Sequence, residues 1–274
     1  MTDLGSYLRA RRAAITPELA GVRSYGARRV PGLRREELAR LAGVSVAYYT
    51  RLEQGQSANA SDSVIASLAR ALRLDDDERA HLFALARPAP VRRTPPPVEE
   101  ATPSAVRLLA AMHDVPALLL GRRNDVLAWN RLGHLLLAGH LDPTAPERPA
   151  DRPNLTRMLF LDAHTRDLHR DWAAEAALAV ASLRYVAAEH PDDPLLASLI
   201  GDLSINSPEF ATLWPQHTVR LCTGGTRLLH HPEVGPLDLD FTLLHLPDAP
   251  GHRLMTHTPQ TPSSTTALTL LNHP

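Results

Sequence analysis

The feature that most constrains this chain is a proline-rich stretch between residues 88 and 103, where six of sixteen residues are proline. Proline has no backbone N–H to donate and restricts the residue before it, so such a stretch favours an extended, semi-stiff linker. The chain has 274 residues, enough for about two domains. We therefore expect one domain over residues 1–87, a linker over 88–103 and a second domain over 104–274.

Before the linker, apolar residues recur with helical spacing in five short segments. Leu38 lies in the second segment and Tyr49 in the third, which begins at Ser45. Asp75 followed by Glu78 is typical of a helix start, because each side chain can bond the backbone N–H of the other. The pattern predicts an all-α domain of five helices.

After the linker, the pattern mixes strands and helices and predicts an antiparallel α+β domain. The apolar runs 117–121 and 126–129 indicate a hairpin, and three helical segments follow it. We expect Gly224-Gly225 to form a tight turn between two further strands. The remaining predicted elements are helices over 155–160, 171–190, 195–203 and 264–271, and strands over 217–223, 226–231, 237–243 and 253–257.

The segment from Glu36 to Gly55 carries the clearest functional signal. Two helices joined at Ala42-Gly43-Val44 can cross closely because the turn is built from small residues. The second of these helices would bury Tyr49 and present small and hydrogen-bonding side chains outwards. Such a face is needed for a helix that binds in the DNA major groove. The predicted outward-facing residues are Val46, Ala47, Tyr48, Thr50 and Arg51, and the backbone amides after Ser45 can bind a phosphate.

Charge supports the same interpretation. Residues 1–87 hold 14 arginines against 10 acidic residues, whereas residues 88–274 hold 15 against 20. A basic N-terminal part is typical of a domain that meets a polyanion. We expect phosphate contacts from Arg11, Arg12, Arg34 and Arg35, with Arg28 and Arg29 reaching an adjacent groove.

The composition argues against an enzyme. All 29 basic residues are arginine, which excludes lysine-dependent phosphate loops and Schiff-base chemistry. Thirteen of the 14 histidines lie after the linker, but none has the spacing of a zinc site, and no nucleophile motif is present. We expect no cofactor and no metal. One cysteine, no long apolar run and no signal-peptide pattern predict a cytoplasmic protein without a membrane segment.

The chain resembles two known groups of proteins at these residues. Residues 33–55, LRREELARLAGVSVAYYTRLEQG, with the helices that follow to residue 87, resemble the Xre-type helix-turn-helix repressors related to phage Cro and cI. Further motifs resemble the actinobacterial MmyB-like transcription regulators over nearly the whole chain: VLAWNR (126–131), RMLFLD (157–162), HPDDP (190–194), SPEF (207–210), LWPQH (213–217) and HPEVGPL (231–237). One departure is residues 55–63, where that family usually has basic residues and proline.

The resemblance implies a λ-repressor-like DNA-binding domain followed by a PAS-like domain that binds a small hydrophobic molecule such as a fatty acid. The apolar residues of the second domain are nearly all aliphatic, which fits a long flexible ligand. Trp129 and Asn130, where a strand gives way to a helix, are expected at the rim of the ligand site, with Phe160 nearby. His217 and Arg220 are candidates for contacting a carboxylate head group.

These observations predict a homodimeric transcription regulator that binds an inverted-repeat operator, because two half-sites multiply the few base contacts of one helix-turn-helix. Two alternatives stay open. The second domain could serve only for dimerisation or for binding a protein partner, or it could be an enzyme regulated by the DNA-binding part.

Overall fold

The computed structural model describes residues 3–22, 32–56, 60–86 and 98–273, which pack as two compact units. The first unit contains the N-terminal helices together with two short segments from later in the chain, residues 184–193 and 213–221. The second unit contains the rest of the described chain. Two stretches of the range 104–274 therefore pack with the N-terminal helices.

The N-terminal part of the first unit consists of helices around a small apolar core, as the periodicity predicts. The side chains of Tyr7, Leu38, Tyr49 and Leu68 are fully buried in this core. Such burial stabilises the unit by about 1.5–3 kcal/mol for each large apolar side chain. The helices are α1 (Asp3–Ala14), α2 (Arg35–Ala42), α3 (Val46–Glu53), α4 (Asp62–Ala71) and α5 (Asp76–Ala86).

Local hydrogen bonds fix where two of these helices begin. Gly43 has a φ of 70° and turns the chain from α2 towards α3, where the Ser45 hydroxyl accepts a hydrogen bond from the Tyr48 N–H at 3.1 Å. At the start of α5, the Glu78 N–H donates to the Asp75 carboxylate at 2.8 Å, and the Asp75 N–H donates to the Glu78 carboxylate at 3.2 Å. The predicted start signal at Asp75 is confirmed.

The second unit contains helices and an antiparallel sheet, and the last turns of its longest helix belong to the first unit. Its helices are α6 (Pro103–Ala111), α7 (Arg131–Ala138), α8 (Leu155–Leu161), α9 (Ala163–Leu168), α10 (Trp172–Glu189), α11 (Pro194–Asn206), α12 (Pro208–Leu213) and α13 (Pro262–Asn272). Its strands are β1 (Ala117–Leu120), β2 (Val126–Trp129), β3 (Gly224–His231), β4 (Gly235–His245) and β5 (Arg253–Pro259).

The five strands lie in the order β2-β1-β5-β4-β3, and every neighbouring pair is antiparallel. Successive side chains of a strand point to opposite faces, which divides the apolar residues into two layers. Leu119 packs with Leu109 of α6, whereas Leu118 and Met255 belong to a second cluster that includes Leu268 of α13. The predicted first hairpin and the α+β class are confirmed.

The expected tight turn at Gly224-Gly225 is wrong, and so is the strand expected over residues 217–223. Both glycines belong to β3, where they pair with Thr242 and Phe241 of β4, and the hairpin turns instead after His231. A Cβ on Gly224 would lie 2.7 Å from the Phe241 carbonyl oxygen. The glycines thus allow close approach to the neighbouring strand, another role that glycine plays inside sheets.

Two helical glycines of the second unit offer a matched test of how closely α7 packs against β1. A Cβ on Gly133 of α7 would lie 2.5 Å from the Ala117 carbonyl oxygen, whereas a Cβ on Gly201 of α11 would meet nothing within 4 Å. We expect Gly133→Ala to lower the free energy of unfolding by about 1–3 kcal/mol through overpacking. Gly201→Ala should raise it by about 0.5–1 kcal/mol, because alanine favours a helix. Urea unfolding of both variants checks this, and equal effects would contradict the close contact of α7 with β1.

Candidate functional site

Helix α3 presents two different faces. Tyr49 and Leu52 are buried in the core of the first unit. Val46, Ala47 and Arg51 are exposed on the other side. Tyr48 and Thr50 are half-buried between the two faces. The predicted helical phase of α3 is therefore correct.

Glu53, at the end of α3, is the most heavily bonded carboxylate of the first unit's described part. Its side chain is fully buried and accepts hydrogen bonds from three arginines on two other helices. Arg12 donates from Nε at 3.0 Å and from Nη2 at 3.0 Å, and Arg35 donates from Nε at 3.1 Å and from Nη2 at 2.8 Å. Arg9 adds a longer contact of 3.4 Å. Glu53 thus joins α1 and α2 to α3.

These contacts decide the charge state of Glu53. Burial by itself favours the neutral acid, but the hydrogen bonds from Arg12 and Arg35 outweigh it and lower the pKa of Glu53 to about 2. The carboxylate therefore stays ionised at neutral pH. A buried ion pair of this kind is strongly destabilised if one partner is removed, since the remaining charge loses its compensation.

The second unit contains a pocket between its sheet and its helices. Its cavity volume is about 80 Å³. Its apolar walls include Leu137, Leu155, Leu159, Leu168, Phe241, Leu243 and Met255.

Arg253, at the start of β5, brings a positive charge to this pocket and forms no salt bridge within the described residues. Glu99, whose charge acts on it, is itself paired with Arg123. Its side chain is buried, with the residue only 7% exposed, and its Nη2 donates to the Gly121 carbonyl at 2.9 Å and to Asn124 Oδ1 at 2.6 Å. Within the described residues no carboxylate lies within 4 Å of the guanidinium, and its Nε and Nη1 make no hydrogen bond. Burial lowers the pKa of Arg253, but guanidinium stays protonated in proteins. An anion in the pocket would find an unbalanced charge here.

A second arginine in the pocket is balanced. Arg227 of β3 forms an ion pair with Glu175 of α10 and donates to His257 Nε2 at 3.2 Å. Its guanidinium lies 4.5 Å from the centre of the Phe241 ring. Burial, followed by the charge of Arg227, lowers the pKa of His257 to about 3, so this imidazole is neutral at physiological pH. The charges of Arg227 and Glu175 therefore balance each other, and among these three residues only Arg253 has no ionic partner.

Two protein-family models match the chain. A helix-turn-helix domain matches residues 3–82, and the ligand-binding domain of the MmyB-like transcription regulators matches residues 101–271, which is more than half of the chain. The chain belongs to the MmyB-like transcription regulators. The predicted family, the two-part fold and the general role in DNA-binding transcription regulation are confirmed. A comparison with curated proteins found no match.

The arginines predicted to contact DNA phosphates differ in their freedom in this MmyB-like regulator. The Arg12 side chain is only 13% exposed and is occupied by Glu53 and by the Leu33 carbonyl, at 2.7 Å. Arg11 is paired with Glu78 at 2.5 Å. Arg35 also binds Glu53 but keeps 42% of its side chain exposed, and Arg34 is exposed with one weak ion pair. The predicted residues Arg28 and Arg29 lie outside the described residues.

Of the five residues predicted for the ligand site, only Trp129 and Asn130 share a pocket, which is a different one from the pocket that holds Arg253. Trp129 donates to the Pro143 carbonyl, and buried Asn130 caps α7 while bonding four backbone groups, so its amide is fully used. Phe160 packs edge-on against two aromatic rings of the second unit. His217 and Arg220 belong to the first unit, where His217 lies beside Arg184. None of the five lines the pocket that holds Arg253.

Sequence reasoning missed Arg253, Arg227, Glu175 and His169. A single arginine at the start of the strand 253–257 is a weak signal, although charged residues inside apolar strand patterns are uncommon. Arg227 lies in a strand pattern at a position whose side chain is expected on the buried face, which could have indicated a buried charge. Glu175 and His169 come near it only through the fold.

Neither a metal centre nor a membrane-spanning helix is found in the described ranges. No group of three or more His, Cys, Asp or Glu side chains is arranged there to hold a metal ion. None of the described helices combines the length and apolar character needed to cross a bilayer.

Glu53 makes the stability of the first unit depend on acid. A carboxylate whose pKa is lowered by folding contributes stability above its ordinary pKa of about 4.5, and that stability is lost as the pH falls towards 2. We expect the wild-type free energy of unfolding to fall by about 3 kcal/mol more over this range than that of Glu53→Gln. Urea unfolding at a series of pH values checks this; parallel curves would contradict the assigned role of the carboxylate.

Proposed function

We propose that this regulator binds an inverted-repeat operator as a homodimer, and that its affinity for DNA is controlled by a small amphipathic acid, such as a fatty acid, in the second unit. The observation that carries the ligand half is the buried guanidinium of Arg253, which forms no salt bridge within the described residues and lies in a pocket with largely apolar walls. The DNA half rests on the outer face of α3.

The outer face of α3 has the chemistry needed for base recognition. Arg51 forms no ion pair within the described part of the chain, so its guanidinium is available to a guanine edge. Val46 and Ala47 can contact thymine methyl groups, and the half-buried Tyr48 and Thr50 complete this surface. The start of α3 after Ser45, together with Arg34 and Arg35, would position the helix on phosphates. Arg11 and Arg12 are assigned to holding the fold.

The ligand is inferred to be an acid because of the cost of an unbalanced buried charge. Removing an ion from water costs several kcal/mol unless a partner repays it. Hydrogen bonds to two backbone carbonyls and to Asn124 offset part of this cost for Arg253. A ligand carboxylate at the free Nε and Nη1 would complete the pairing, and an aliphatic chain would fill the walls formed by leucines and Met255.

A route from the pocket to the DNA-binding helices is present in the chain itself. Ser182 and Cys222 line the pocket, and the chain runs directly from them into the two segments of the first unit, 184–193 and 213–221. In that unit, Val219 packs in the helical core and the Leu221 N–H donates to Asp77 of α5 at 2.9 Å. A ligand that binds two states unequally would shift operator affinity by roughly 5–150-fold for a typical coupling.

The DNA half is tested by selecting binding sites from random duplexes with the full chain. We expect inverted repeats with half-sites about one helical turn apart. Arg51→Ala should relax the selected sequence at one position in each half-site, at a cost of about 1–3 kcal/mol. Arg34→Ala should instead weaken binding to all sequences and reduce its salt dependence.

Tyr49→Ala is the folding control for this experiment. It should destabilise the first unit by about 3–5 kcal/mol, because the ring is fully buried. Arg51→Ala should leave the melting temperature unchanged. Non-repeated selected sites, or an unfolded Arg51→Ala protein, would contradict the proposal.

The ligand half is tested by calorimetry with dodecanoic acid and its methyl ester. We expect the acid to bind at least about tenfold more tightly than the ester, and Arg253→Gln to remove this difference, since a charge-assisted hydrogen bond contributes about 1.5–3 kcal/mol. Trp129→Phe is the matched control and should leave both affinities unchanged. If neither compound binds, the alternative of a domain that only dimerises or binds a protein is favoured.

A further inference from the structure

His169, which follows α9, offers the pocket a hydrogen-bond acceptor that is not used. Its Nδ1 lies 2.8 Å from the Thr165 carbonyl oxygen. A carbonyl can only accept, so Nδ1 carries the proton and Nε2 keeps its lone pair. Nε2 makes no hydrogen bond within the described residues, and His169 lines the pocket. Burial, and then the charge of Arg227, lower the pKa of His169 and keep the ring neutral.

Glu175 adds a second open acceptor at the same place. One of its carboxylate oxygens accepts from Arg227 in their ion pair, and the other makes no hydrogen bond in the described part of the chain. Because Arg227 balances the charge of Glu175, this site does not require a cation. A neutral hydrogen-bond donor is the group that fits it.

The acceptor site lies at the opposite end of the pocket from Arg253. Residues 253, 255 and 257 share one face of β5, and Arg227 contacts Met255 and His257 on that face. His169 pairs with Leu229 of β3, close to Arg227 in the sequence. Arg227 thus contacts residues two and four positions along β5 from Arg253, which corresponds to a separation of about 7–13 Å between the charged end and the acceptor end.

The walls between the two ends are largely apolar. Met255 lies between residues 253 and 257 on β5, and Phe241 and Leu243 line the pocket from β4. The pocket therefore combines an anion site, an aliphatic middle and an acceptor site. A molecule that matches all three has a carboxylate, a methylene chain and a donor at its far end.

We propose that the ligand is a medium-chain acid with a hydroxyl group at or near its terminal carbon, the hydroxyl donating to His169 Nε2. This inference rests on the proposed function, because it needs the carboxylate at Arg253. A plain fatty acid would place a methyl group against the acceptors, leaving polar groups buried without partners. Sites built to bond a hydroxyl reject analogues that lack it.

The test compares three acids on the full chain by calorimetry: decanoic, ω-hydroxydecanoic and β-hydroxydecanoic acid. We expect the ω-hydroxy acid to bind about tenfold more tightly than decanoic acid. The β-hydroxy acid, whose hydroxyl lies beside the carboxylate, should show no such gain. Equal or weaker binding of the ω-hydroxy acid than of decanoic acid would overturn the inference while leaving the proposed function in place.

Two variants identify the acceptor. His169→Phe should abolish the preference for the ω-hydroxy acid while retaining binding of decanoic acid. Ser182→Ala, which removes another polar group of the pocket, should keep the preference for the ω-hydroxy acid. If Ser182→Ala loses this preference while His169→Phe keeps it, the assignment of His169 as the acceptor is overturned. If none of the acids binds to the wild type, the proposed function fails as well. Should His169→Phe not fold, the three-acid comparison on the wild type still decides.

Discussion

The DNA-binding unit depends on one buried carboxylate. Glu53 lies at the end of the helix that faces outwards, and arginines from α1 and α2 converge on it. Such a cluster is stable only while all its members are present, because each buried charge needs the others. Glu53 therefore fixes α3 relative to the helices behind it. The orientation of the outer face follows from this ionic contact as much as from the apolar core.

The second unit contains the opposite situation at Arg253. There a guanidinium is buried beside carbonyl and amide oxygens, but no carboxylate in the described chain forms a salt bridge with it. A protein that leaves a buried charge incomplete loses stability unless something else supplies the missing partner. The same physical rule that makes Glu53 a structural residue underlies the proposal that Arg253 binds a ligand. The difference lies only in whether the partner belongs to the chain.

Local patterns in the sequence predicted most of the fold. The start of α5 at Asp75, the turn at Gly43 and the buried phase of Tyr49 depend on neighbours within a few residues, and all are confirmed. Gly224 was misinterpreted because a glycine that turns a chain and a glycine that admits a neighbouring strand look alike in one sequence. Only the pairing with β4 distinguishes them.

The sites were harder to predict because they join residues that are far apart in the chain. Arg12 was predicted to contact DNA from its charge, and its bond to Glu53, 41 residues away, could not be predicted from a local pattern. Trp129 was predicted at the ligand site from its local position, whereas the pocket that holds Arg253 is formed by residues from several strands and helices and Trp129 lines a different one. A sequence shows which groups are charged, but the fold determines which of those charges are already balanced.

The two faces of α3 also bear on how such a regulator can change over evolutionary time. Stability resides in Tyr49, Leu52 and Glu53, which point inwards, while Val46, Ala47 and Arg51 contribute little to the core. Substitutions on the outer face can therefore accumulate without unfolding the unit. New operator sequences become accessible by single amino-acid changes, and gene duplicates can diverge in their targets while keeping one scaffold.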